Sequence, residues 1–167
     1  MSETPPETTA TTAAPPQGPR LRVLGQYVRD LSFENPRGLT PAGEEVRPQV
    51  DVSVNVESRR VPDQASRFEV ALKVSAAAKR GQDPAFLVEL DYRGLFELAG
   101  FSDNLLPQVL LVECPRLLFP FARKIVADAV QDGGFPPFLV EPIDFLALYR
   151  ARLAQEQAKS AQRGDTA

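Results

Sequence analysis

The stretch "VDVSVNVESRRV", residues 50–61, alternates Val50, Val52, Val54 and Val56 with Asp51, Ser53, Asn55 and Glu57. A period of two in β-branched residues sends one row of side chains to each face of an extended chain, so the segment reads as a half-buried strand. Three more stretches share the pattern. "LRVLGQYVRDLSFE" (21–34) sets Tyr27, Leu31 and Phe33 on one face and Gln26, Asp30, Ser32 and Glu34 on the other. "RFEVALKVSAAA" (67–78) sets Phe68, Val70, Leu72 and Val74 against Arg67, Glu69 and Lys73. "PAFLVELDYRGLFEL" (84–98) sets Phe86, Val88, Leu90 and Tyr92 against Leu87, Glu89 and Asp91. The joints "NPRGLTPAG", "PDQAS" and "RGQDP" carry turn chemistry, and short turns favour antiparallel neighbours. One antiparallel sheet with a wet and a dry face follows.

Beyond Gly100 the period lengthens. "CPRLLFPFARKIVADAVQDGG" (114–134) spaces Leu118, Phe121, Ile125 and Ala129 as a helix does, with Ala122, Val126 and Val130 beside them. Pro115 suits the first turn and Gly133–Gly134 the stop, while Pro120 predicts an irregularity or bend. "DNLLPQVLLVE" (103–113) reads as a short helix broken near Cys114, and "GGFPPFLVEPI" (133–143) as an extended, proline-stiffened loop. Asp144 is then the N-cap of a last helix with Phe145, Tyr149 and Leu153 on one stripe. Strands followed by helices make the class α+β. The helix 114–134 is apolar around more than one stripe. One side belongs to the sheet, and the other to a second subunit or to the last helix; the oligomer is the preferred reading.

Residues 1–20 are rich in Thr, Pro and Ala and hold too little apolar surface to offset the entropy of ordering, so they read as a disordered tail. Residues 158–167 form a second, flexible tail, which leaves 21–157 as the single domain. A net charge of −3 provides no basic field for nucleic acid. No apolar run approaches the ~20 residues needed to cross a bilayer, and no signal segment opens the chain; a cytoplasmic protein that inserts in no membrane is the expectation.

The chain has no histidine and one cysteine. Histidine-based nucleophile systems, histidine metal sites and multi-cysteine zinc sites are therefore unavailable. Asp30 and Glu34 share a strand face but sit roughly 13 Å apart at that spacing, beyond the ~5–9.5 Å of a glycoside-cleaving pair. No phosphate-binding or calcium-loop pattern occurs, so neither a metal nor a cofactor is expected. Cys114 reads as a buried structural thiol; the competing reading is a helix start that lowers its pKa. The wet-face carboxylates Asp30, Glu34, Glu89 and Asp91 are either solvated surface or a docking patch. Leu87 among them favours docking, because a large apolar side chain there needs a reason.

At "RDLSFENP" (29–36), "AFLVELDYRGLFELAG" (85–100), "CPRLLFPFAR" (114–123) and "GGFPPFLVEPIDFLALY" (133–149) the sequence resembles the SecB family of bacterial protein-export chaperones. The segments occur in the family's order and spacing, over residues 23–155. The resemblance implies a homotetramer, a dimer of dimers, with long helices between the sheets. It implies a holdase, not an enzyme, that needs no cofactor, holds unfolded precursor proteins and passes them to the SecA translocation ATPase. SecA-docking residues would be Asp30, Glu34, Leu87 and Glu89. The client groove would involve Val50, Val52, Val54, Phe86, Val88, Phe145 and Tyr149, and the subunit interface Leu118, Phe121 and Ile125. The N-terminal tail is longer than is usual in such proteins and the C-terminal tail less acidic. Two alternatives stand beside this reading: a general anti-aggregation chaperone of the same fold without a SecA link, and a small-ligand binder.

Overall fold

Strands β1 (Arg20–Glu34), β2 (Gln49–Arg60), β3 (Arg67–Arg80) and β4 (Asp83–Ala99) form one antiparallel sheet in the order β1-β4-β3-β2. The structure is a computed structural model that describes residues 18–38 and 48–164. Most of the N-terminal segment expected to be a tail, and residues 39–47 between β1 and β2, lie outside the described residues. β2, β3 and β4 meander through short turns, and β1 closes against β4 rather than β2, which is a Greek-key order.

Parity in the sheet follows the sequence except in β1. Phe86, Val88, Leu90 and Tyr92 of β4 and Phe68, Val70, Leu72 and Val74 of β3 are buried beneath the helices, as the alternation predicts. Two register shifts interrupt β1, between Val23 and Gly25 and between Val28 and Asp30. The second leaves Arg29 unpaired and reverses the faces from Gly25 to Val28, and the first, at Leu24, restores them upstream. Tyr27 lies opposite Arg93 on the outer face, not with Leu31 and Phe33 as the simple alternation has it. Gln26 has crossed to the helix side, where its Oε1 accepts a bond from the Tyr92 hydroxyl at 3.2 Å.

The helical layer begins with α1 (Leu106–Gln108), passes through a π-helical turn at Val109–Glu113 and continues as α2 (Cys114–Asp132). The break expected near Cys114 is absent: the Cys114 N–H donates to the Val109 carbonyl across the wide turn. Pro115 lacks a donor, and its ring would strike the carbonyl four residues back in a regular helix; the π turn relieves that conflict. α2 runs past Pro120 without interruption and ends at Gly133. Its side toward the sheet is Leu118, Ala122, Val126 and Val130, each fully buried. Close approach depends on Gly94 of β4, where an added Cβ would lie 2.7 Å from Leu118 Cδ2 and 2.6 Å from Phe96 Cε2.

α3 (Phe145–Gly164) starts where the cap was expected, with the Asp144 carboxylate accepting from the Ala147 N–H at 3.0 Å. Along its stripe Phe145 is buried, Tyr149 half-buried and Leu153 exposed, so the helix walks away from the body. Its backbone stays helical to Gly164, past the start of the expected tail.

Gly94→Ala should overpack the sheet–helix contact. Equilibrium urea unfolding is expected to give a loss of about 1–3 kcal/mol.

Candidate functional site

The β1–β4 register assembles the outer face. Asp30 lies opposite Asp91, Ser32 opposite Glu89, and Glu34 opposite Leu87. No register shift falls between residues 30 and 34, so Asp30, Glu34, Leu87 and Glu89 lie on one face of two adjacent strands. They are near one another because β1 pairs with β4, a fact of topology that alternation within each strand does not contain.

The cations of this face are largely committed elsewhere. Arg93 grips Asp91 with two bonds, Nε to Oδ1 at 2.9 Å and Nη2 to Oδ2 at 2.8 Å, and reaches Glu69 with Nη1 at 3.0 Å. Glu69 also accepts from Arg59 Nε and the Tyr27 hydroxyl, both at 2.6 Å. Lys73 Nζ holds both oxygens of Glu57 at 2.9 Å. Asp30, Glu34 and Glu89 make no ion pair among the described residues. The result is a hydrogen-bonded knot on Glu69 beside an acidic patch whose three carboxylates form no ion pair among the described residues, with an apolar member, Leu87.

The other candidate surface runs along β2. Val50 and Val54 are half-buried and Val52 is 40% exposed, so this valine row is partly open. Two hollows flank it. One, of about 350 Å³, is walled by Val50, Phe86 and the segment Phe135–Phe138, where the Phe86 and Phe135 rings lie 4.8 Å apart. The other, of about 440 Å³, lies between β2 and α3, with Val54, Val56, Leu148, Tyr149 and Arg152 on its walls. Phe138 and the two prolines of this loop were readable only as a stiff connection, because their role depends on where the loop packs. Arg152 carried no signal at all, since it reads as one more charge on a solvated helix.

Several expected contacts need correction. Val88 and Phe145 are 0% and 1% exposed, so both are core residues that a client cannot reach in this conformation. Phe86 is 3% exposed and meets its hollow only at an edge. Leu118 is fully buried under its own sheet, whereas the outward side of α2 presents Leu117 and Phe121, with Ile125 half-buried between the two layers. Each belongs to the element named, but the sequence did not separate its covered side from its open one. Cys114 is buried, and burial pushes its thiol up to about 12, opposite to a nucleophile activated by a helix start. No group of three potential metal ligands occurs among the described residues, and no described helix is long and apolar enough to cross a membrane.

The family model described as "Preprotein translocase subunit SecB" matches residues 14–156. The chain belongs to the SecB family. A protein-export protein SecB of Hyphomonas neptunium is 48% identical over 152 residues, 90% of each chain. That of Parvibaculum lavamentivorans is 51% identical over 142 residues, 83% of this chain and 82% of its own. A solved SecB-like chaperone of Mycobacterium tuberculosis, in complex with a ChAD peptide from an antitoxin, has the same fold with a TM-score of 0.62. It is 16% identical, over 74% of this chain and 91% of its own. The matched region in this SecB family member includes both the acidic face and the β2 hollows.

The buried knot has a pH signature. Bonds from Arg59, Tyr27 and Arg93 outweigh burial and hold the Glu69 carboxyl at about 2, below its ordinary 4.5. A depressed carboxyl pKa contributes stability that is full above the ordinary value and is lost as pH falls through the folded one. Urea midpoints should therefore drop between about pH 4.5 and 2, and Glu69→Gln should flatten that part of the profile while lowering stability at neutral pH.

Proposed function

We propose that this chain is an ATP-independent holdase for protein export: it binds unfolded precursor proteins in the cytoplasm and delivers them to SecA. The observation that carries the reading is the family match over residues 14–156, reinforced by relatives named protein-export protein SecB across about nine-tenths of the chain. SecB family members are chaperones rather than enzymes, and no catalytic step is assigned. The working unit is residues 21–157, and it assembles as a homotetramer, a dimer of dimers.

The valine row and its two hollows suit segments that are apolar and extended. An unfolded client offers many such segments, each weakly attractive, and several subunits in one assembly convert weak contacts into a firm hold. A folded client buries the same segments, so release requires no energy source. Val50, Val52, Val54 and Tyr149 line the route, with Phe86 at the edge of one hollow. The exposed side of α2, Leu117 and Phe121, is apolar surface of the kind a second subunit covers.

Asp30, Glu34 and Glu89 supply the handle for a basic partner segment, and Leu87 supplies an apolar contact within it. The support for this is their juxtaposition, in no ion pair among the described residues, on the face opposite the helices. Charge complementarity then speeds encounter and fixes orientation. Docking and client holding thus occupy different surfaces, which a paired assay separates.

Glu89→Lys removes an attraction and adds a repulsion. Titration with the SecA tail peptide should show binding weakened about tenfold, while suppression of aggregation of an unfolded precursor is retained. Equal loss of both activities would refute the separation. Docking affinity should also fall with rising salt, and sedimentation should find a species four times the mass of the chain.

A further inference from the structure

The end of β1 divides three ways. Phe33 points inward, where its ring stacks on Phe86 at 5.9 Å and meets Phe135 at 6.3 Å. Glu34 points outward into the acidic patch. Asn35 crosses to the end of α2, where its Nδ2 donates to the Gly133 carbonyl at 3.1 Å. That helix end is a tightly specified reversal. The Gly134 N–H donates to the Gln131 carbonyl at 3.0 Å and the Phe135 N–H to the Val130 carbonyl at 3.2 Å, with Gly134 left-handed at a φ of 86°. The reversal sends Phe135 onto Phe86 and makes it a wall of the 350 Å³ hollow. β1 and the helix end are also in close contact, since a Cβ on Gly133 would lie 2.2 Å from Phe33 Cζ. The acidic patch and this hollow are on opposite faces of the sheet, and residues 33–35 with 133–135 join them.

We propose that Asn35 is a positioning residue that couples the two surfaces: a basic segment docked on Glu34 opens the Asn35–Gly133 clasp and loosens the Phe135 wall, which weakens the hold on a client in the hollow. The inference rests on the docking and client-holding readings above. The clasp sits near balance. Asn35 Oδ1 is buried and meets no hydrogen-bond donor among the described residues, a desolvation cost of the same order as the bond gained at Nδ2. Opening the clasp returns that oxygen to water and frees Glu34, the last residue of the strand, to turn its carboxylate onto the docked cation. This difference in affinity between the open and closed arrangements is what shifts the balance. The coupling is reciprocal, so a client in the hollow weakens docking by the same factor. Hold on the client is thus relaxed when a receiver is present.

The test uses the full chain, the SecA tail peptide and a labelled peptide alternating Phe and Thr as the client. In the parent, saturating tail peptide weakens client-peptide binding about fivefold, the weight of one hydrogen bond, and client peptide weakens tail-peptide binding equally. Tail peptide also speeds amide hydrogen exchange at Gly134 and Phe135. Asn35→Ala binds each peptide alone yet shows neither mutual effect, and its Gly134 and Phe135 amides exchange fast before any peptide is added. Asn35→Gln, which keeps a donor, recovers part of the coupling. A purely structural role for Asn35 would lower the unfolding midpoint of Asn35→Ala and leave the mutual factor as in the parent, and that result overturns the proposal. Equal affinities with and without the other peptide in the parent overturn it too, while docking and holding both stand. Should Asn35→Ala fail to fold, exchange in the parent decides: Gly134 and Phe135 amides unmoved by tail peptide overturn the coupling. No binding of tail peptide removes the docking reading, and no binding of client peptide the holding reading, each taking the coupling with it.

Discussion

The pairing of β1 with β4 is the constraint on which both candidate surfaces depend. Downstream of Arg29 the strand must turn Phe33 inward, where its ring stacks on Phe86 at 5.9 Å, and that obliges Asp30 and Glu34 to face out. Upstream it must turn Tyr27 outward to reach Glu69. These demands have opposite parity, and one unpaired residue reconciles them. Without the shift at Arg29, either the aromatic contact or the bond to Glu69 would be lost.

The parts of the fold legible in sequence were those governed by unbroken local periodicity. β2 has no register shift, and its alternation translates directly into faces. The pattern in β1 misassigned Tyr27 and Gln26 because a bulge inserts one residue without altering the types around it. Pro115 was read as a helix start, yet the preceding turn widens to keep the chain helical, a solution that proline alone does not announce. Asp30, Glu34, Leu87 and Glu89 are singled out only by family likeness; they meet because β1 closes beside β4. Exposure was the least legible property. Val88, Phe145 and Leu118 sit on apolar stripes, and a stripe does not say which of its members another element covers.

β4 is shared between the two surfaces. Leu87 and Glu89 point out, while Phe86 and Val88 on the same strand point toward the helices. A strand with one face in the acidic patch and the other in the core holds the patch on a rigid base. The Arg93 knot stiffens that base from the solvent side: it joins β4 to β3 through Glu69, and Glu69 in turn holds β2 through Arg59 and β1 through Tyr27. All four strands thus converge on one carboxylate, which accounts for a charged residue that is 8% exposed.

The thiol of Cys114 has a further consequence. Burial pushes its thiol well above the ordinary range, so the sulfur stays protonated at neutral pH, and it is wholly covered. Thiol–disulfide exchange proceeds through an accessible thiolate. A chain that holds unfolded proteins is surrounded by their cysteines for as long as it holds them. Its own sulfur offers those cysteines nothing to react with, so such contacts stay non-covalent and every captured chain can be let go.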